Sequence, residues 1–164
     1  LTIKLKNIMT YKIFIMNIVK TINQYDNKCC FFSEPIKNNV MNDGNFIRII
    51  YSTHNFTLNG IYLLLPLNDV FCEKYYTKYK CNFDLLKNKE IIDKIKIIEE
   101  ELLKKCEITD KIPQFKISEQ LKNGNLKIFT DVGDNIIYTF ILKISGIWET
   151  QHNYGLTYKF IKTN

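Results

Sequence analysis

The element order written in the sequence predicts an α+β, β-rich fold: a β-barrel or curved antiparallel sheet with one long α-helix inserted at about 83–106. Three observations carry it. Short runs rich in Ile, Phe, Tyr and Thr, bounded by Asn, Asp, Gly and Pro, occupy both ends of the chain. One stretch only, Phe83 to Cys106, repeats apolar residues at helical spacing. The 164 residues are 46% hydrophobic and 24% charged, enough for one core, and no apolar run reaches the roughly 18 residues of a membrane-crossing helix.

The first segment, Leu1 to Asn23, carries Lys4, Lys6, Lys12 and Lys20 and no acid. Lysines interrupt its apolar residues too often for the core of a secretory signal. Residues 1–15 read as an upstream extension ahead of Met16, or equally as an ordinary amphipathic strand or helix, and 16–164 as a single domain. Lys28 to Ser33 reads as a short strand stopped by Glu34-Pro35, and Asp43-Gly44 as a turn signal. Phe46 to Ser52 is a strongly β-prone run. Asn59-Gly60, between Phe56-Thr57-Leu58 and Ile61 to Leu65, predicts a tight hairpin, because a type I′ turn needs two positive φ angles.

The helix face is marked by Leu85, Ile91, Ile95, Ile98, Leu102 and Cys106. Glu90–Lys94, Glu100–Lys104 and Glu101–Lys105 have the favourable i,i+4 order on its solvated side. Pro113 to Gly124 reads as a connector with a short helical turn. Leu126 to Thr130 reads as a strand, Asp131 to Asn135 as a turn and Ile136 to Ser145 as a long strand with a bulge or kink at Gly146. Tyr154 to Lys162 is the last strand.

Chemistry-bearing motifs are sparse. Five cysteines, an odd number with Cys29 and Cys30 adjacent, do not suggest a disulfide framework, and Cys72 and Cys81 lack zinc-ligand spacing. A reduced intracellular compartment is expected, with no metal and no cofactor. His54 and His152 lie in expected loops beside Asn, without a serine or cysteine partner at recognisable spacing. No phosphate-binding glycine loop or nucleophile elbow is present, so a non-enzymatic role is expected. The net charge of +6 is half accounted for by Lys4, Lys6 and Lys12. The 26 Ile, 22 Lys and 18 Asn, against one Arg and no Ala, are the residues of A/T-rich codons.

The informative pattern is aromatics interleaved with cations on expected strands. Arg48, Tyr51, Lys143, Trp148, Tyr154 and Lys159 form the candidate nucleic-acid-binding set. Cations track a phosphate backbone, and aromatic faces stack on bases. Core packing is the competing reading for Tyr51, Tyr62, Tyr158 and Phe160, since alternate strand residues face opposite sides.

Three stretches resemble small uncharacterised proteins of nucleocytoplasmic large DNA viruses: Phe32 to Asn39, Phe46 to Tyr62, and Ile144 to Thr150 running into Tyr154 to Phe160. The closing Gly155-Leu156-Thr157-Tyr158-Lys159, after an aromatic turn, is also similar to the final hairpin of viral single-stranded DNA-binding proteins related to those of short-tailed phages. That resemblance implies an OB-like barrel with an inserted helix. It also implies single-stranded DNA binding in replication, repair or transcription, in the host-cell cytoplasm or nucleus. The acidic tail of the phage-type proteins has no counterpart here, as the last acid is Glu149. The alternative is a virion structural or protein-interaction module that contacts a viral protein or a second copy of itself. No membrane association is expected under either reading.

Overall fold

The computed structural model describes residues 19–38, 44–129 and 139–163, so the expectations for 1–15 and for the turn at 131–135 lie outside the described residues. The first strands are β1 (Lys20–Thr21), β2 (Cys30–Phe32), β3 (Ile36–Lys37) and β4 (Asn45–Ser52). Next come β5 (Thr57–Asn59), β6 (Ile61–Leu65), β7 (Phe71–Tyr75) and β8 (Lys78–Asn82). Helix α1 (Lys89–Lys105) leads through β9 (Ile112–Gln114) to helix α2 (Lys116–Lys122). The remaining strands are β10 (Asn125–Ile128), β11 (Thr139–Glu149) and β12 (Asn153–Thr163). The fold is α+β and β-rich, with two α-helices and two sheets among the described residues.

The central strand of the large sheet is β11, eleven residues long and antiparallel to β12. Its other edge is shared: β6 pairs with Phe140–Ile144 and β4 with Gly146–Glu149. The expected irregularity at Gly146 is a register shift between Ile144 and Gly146, at the point where the partner strand changes. Asn59-Gly60 does not close a hairpin. β5 pairs with β4 and β6 with β11, so the chain changes neighbour between them. Gly60 has φ +107°, and a Cβ there would lie 2.6 Å from the Ile144 carbonyl oxygen. The glycine therefore serves a close backbone crossing. The reversal between β4 and β5 lies at 53–56, where the Thr53 N–H donates to the Phe56 carbonyl at 2.9 Å.

Among the described residues no barrel is formed. The sheet runs β1-β6-β11-β12-β9, with β4 joined to β11 and carrying β2, β3 and β5. Its ends, β1 and β9, pair in parallel with β6 and β12 and not with each other, so the sheet stays open and mixed. A second sheet, β10-β8-β7, is antiparallel throughout.

The long helix starts at Lys89, later than its apolar spacing suggests. Side chains hold the preceding residues in turns instead. Asp84 Oδ1 accepts from the Lys87 N–H at 2.8 Å. Buried Asn88 accepts from the Asn68 N–H and donates to the carbonyls of Asn68 and Asp84. Such local bonds compete with helix formation. The buried face of α1 is Ile92, Ile95, Ile98, Glu99, Leu102 and Leu103. Ile91 and Cys106 are only half-buried, and Leu85, outside the helix, is exposed. The Glu90–Lys94 pair forms at 2.6 Å, but Lys96–Glu100 takes the place of the two later pairs. Lys105 reaches across to the Cys30 carbonyl at 2.8 Å.

Packing joins the helices to the sheets. The Glu99 carboxylate accepts from the backbone N–H groups of Ile117 at 3.0 Å and Ser118 at 2.8 Å, and from the Ser118 hydroxyl. A side chain of α1 thereby caps the start of α2. Burial pushes the Glu99 carboxyl pKa up, against the lowering effect of those bonds. Tyr158 of β12 donates to Gln120 of α2 at 2.8 Å. Fully buried Phe140, Leu142, Ile144 and Ile147 place one face of β11 in the core with Leu156 and Phe160.

Candidate functional site

Cross-strand partners share a face of a sheet, and so do alternate residues of one strand. These two rules define three rows across the non-core face of the large sheet. Tyr62, Lys143 and Lys159 form the first, because Lys143 lies opposite both others. Arg48, Gly146 and Thr157 form the second, and Phe46, Trp148 and Gly155 the third. The bulge at Ser145 keeps Lys143 and Gly146 on the same side, as Lys159 and Thr157 on β12 confirm. Four of the six expected residues, Arg48, Lys143, Trp148 and Lys159, are thus brought together from three strands.

Tyr51 and Tyr154 are not among them. Both alternate onto the core side, where they are 2% and 6% exposed. The Tyr51 hydroxyl accepts from the Asp26 N–H at 3.2 Å, and its ring stacks on Tyr25 at 6.2 Å. Burial pushes its phenol up to about 12, and burial likewise raises that of Tyr154. Phe46 and Tyr62 take their place on the shared face, and the same period-2 alternation that positions Arg48 is the signal for Phe46.

Two glycines make room for the aromatic rings. A Cβ on Gly155 would lie 2.8 Å from Cζ2 and 3.0 Å from Cε2 of Trp148. A Cβ on Gly146 would lie 2.4 Å from Cζ of Phe46. Each ring therefore rests across bare backbone, and both residues stay half-buried. The Lys143 ammonium stands 5.0 Å from the Tyr62 ring centroid, within cation–π range. Arg48 and Lys159 are exposed, and no ion pair engages either among the described residues. Further along, Ile141, opposite Leu64 and Ile161, is buried, so the accessible part lies toward Arg48, Lys159 and Trp148.

No acid occupies the three rows. Glu149, next to Trp148 in the chain, faces the other side. Its carboxylate takes Lys111 Nζ at 2.7 Å and the Asn45 side-chain N–H at 2.7 Å. The hydrogen bond from Lys111 holds its carboxyl below the usual range. That negative charge is therefore neutralised within its own cluster.

Other chemistry is limited among the described residues. His54 and His152 are both exposed in turns. No group of three or more His, Cys, Asp or Glu is placed to hold a metal among the described residues. No helix there is long and apolar enough to cross a membrane. The cysteine expectation meets one correction: Cys72 and Cys81 form a disulfide, while Cys29, Cys30 and Cys106 are free thiols. The bond follows from the β7–β8 hairpin, which sets those two residues directly opposite.

That hairpin, with β10, also carries a second basic and aromatic surface, outside the residues expected to bind nucleic acid. Its signal is a set of residue pairs symmetric about Tyr76-Thr77, among them Cys72 with Cys81 and Glu73 with Lys80. Compared with family models, curated proteins and solved structures, the chain matches none of them.

Proposed function

We propose that the chain is a non-catalytic single-stranded DNA-binding protein that uses the non-core face of its large sheet. The observation carrying this reading is the convergence of Arg48, Lys143 and Lys159 with the half-buried rings of Trp148 and Phe46, on a surface whose rows hold no acid. Three cations along a face suit a phosphate backbone, and half-buried aromatic rings beside them suit stacking on unpaired bases. The guanidinium of Arg48 fits a phosphate bidentately. In line with the resemblance to viral proteins, the strand bound is one exposed during replication, repair or transcription.

Labelled oligothymidine, followed by fluorescence anisotropy over a salt series, tests this reading. Wild type is expected to bind, with affinity falling as salt rises. Removing Arg48, Lys143 and Lys159 together is expected to flatten the salt slope by about 2, at roughly 0.7 per phosphate contact on a single strand. Trp148→Ala is expected to weaken binding at least about fivefold, the lower end of one stacked base, with the slope retained. Trp148 is the only tryptophan, so quenching of intrinsic fluorescence by unlabelled strand reports the contact directly. Absence of binding at low salt, or binding indifferent to both variants, refutes the proposal.

A further inference from the structure

We propose that the groove on the three-stranded sheet holds a second segment of the same single strand, with a phosphate between Lys80 and Lys127 and a base against Tyr75. This rests on the single-strand reading above and adds a contact site independent of Arg48, Lys143, Trp148 and Lys159. The register places Lys80 of β8 opposite Lys127 of β10 and Tyr75 of β7 opposite Lys78. These side chains, with Tyr79, Asn123 and Asn125, line a cavity of about 530 Å³. That size matches an ordinary small-ligand site.

Charge argues for the occupant. Like charges directly opposite on neighbouring strands destabilise a sheet, and Lys80 and Lys127 occupy such a pair. Among the described residues neither makes an ion pair; Glu73, the β7 partner of Lys80 on the same face, forms none with it. No acid lines the cavity. An anion between the two ammonium groups relieves the repulsion, and the side-chain amides of Asn123 and Asn125 offer further donors.

Exposed rings argue for a strand as the anion's carrier. Tyr75 is 64% exposed and Phe129 65%, although apolar side chains of this size normally seek the core. The Lys78 ammonium sits 4.8 Å from the Phe129 ring centroid. Tyr76 meets Tyr75 edge-on at 4.8 Å, which leaves the rim of the groove aromatic. Cations spaced among ring faces suit a polyanion whose charges alternate with planar bases. The opposite face of the sheet, with Cys81, Leu126 and Ile128 fully buried, anchors the groove on the core.

The experiment compares wild type, Lys80→Ala/Lys127→Ala and Tyr75→Ala with the Arg48/Lys143/Lys159 triple-alanine variant, using labelled oligothymidine of about 20 to 30 nucleotides. Thermal melts establish that each variant is folded, and Lys80→Arg/Lys127→Arg serves as the conservative control. The expected result is about a tenfold loss of affinity at low salt for the lysine pair, with the salt slope reduced by about 1.4. The arginine pair should restore both. Tyr75→Ala should cost about fivefold with an unchanged slope. A lysine-pair variant that binds like wild type, while the triple variant loses binding, overturns the groove and leaves the large-face reading standing. If wild type binds no oligonucleotide, both fall. If the lysine pair loses binding but the triple variant does not, the groove stands as the site and the large face falls.

Discussion

Gly146 and Gly155 matter here for the side chains they lack. The aromatic rings of Phe46 and Trp148 occupy the space a Cβ would fill, so each ring packs against glycine backbone on this face. Gly146 is the more constrained, because a Cβ there would also lie 2.4 Å from the Ile47 carbonyl oxygen, which cannot rotate away. Gly146→Ala is therefore expected to destabilise the fold by about 3 kcal/mol, the upper range for overpacking, as a lower urea midpoint. Gly155→Ala, whose closest neighbour is the movable Trp148 ring, is expected to cost less and to blue- or red-shift the tryptophan emission. Equal urea midpoints for Gly146→Ala and wild type would show that neither the Phe46 ring nor the Ile47 carbonyl crowds that position. At this scale the sequence was partly legible: Arg48 and Trp148 stand out in composition. That Trp148 shares a face with Lys143 depended on a bulge at Ser145 that strand alternation alone does not reveal.

Among the elements, the β7–β8 hairpin was the least legible. It carries no Asn-Gly or Pro-Gly turn, and Tyr76 at its tip has φ +55°, an unusual conformation for a side chain of that size. The Cys72–Cys81 disulfide instead ties the two strands together. Thiol titration of the denatured, unreduced protein is expected to find three thiols of the five cysteines. Reduction is expected to lower stability by at most about 2.5 kcal/mol, the loop-closure value for so short a ring. A Cys72→Ser/Cys81→Ser variant should match the reduced protein and ignore reductant. Five titratable thiols, or a melt unaffected by reductant, would show that the bond does not form in solution. The α1 helix was legible in kind, but its boundary was set by Asn88 and Asp84, whose side chains bond the residues before it. Its buried face includes Glu99 because the N–H groups of Ile117 and Ser118 supply partners that helical periodicity does not show.

For the molecule as a whole, the Lys111–Glu149–Asn45 cluster links the segment before β9 to β11 and β4. Glu149 has a folded pKa below the ordinary 4.5, so its stabilisation is complete above that value and is lost as pH falls through the folded one. Glu149→Gln is expected to be less stable than wild type by about 1–2 kcal/mol at pH 7, a partly buried pair being worth more than a surface one. The gap should close as pH falls from 4.5 through the folded value. Glu99 acts in the opposite sense: its pKa is raised by burial, so its contribution is largest in acid and declines as pH rises from 4.5 to the folded value. Denaturant melts of wild type and Glu149→Gln from pH 3 to pH 7 separate the two. A gap independent of pH would mean that the carboxylate is not paired in the folded state.

The sequence by itself determined the class of fold, most strand positions, the location of the long helix and the short helical connector after Pro113. Those follow from periodicities of 2 and 3.6 and from turn residues, which act over a few neighbours. Only the tertiary structure decided which strands meet. Asn59-Gly60 reads locally as a hairpin, yet the Ile144 carbonyl makes it a crossing between two partners on one edge of β11. That shared edge and the end strands β1 and β9 leave the sheet open where strand order alone allowed a barrel. The grouping of Arg48, Lys143, Trp148 and Lys159, and the removal of Tyr51 and Tyr154 to the core side, come from the same long-range pairing. A face shared by distant strands is a property of register, and register is fixed by contacts between residues up to a hundred positions apart.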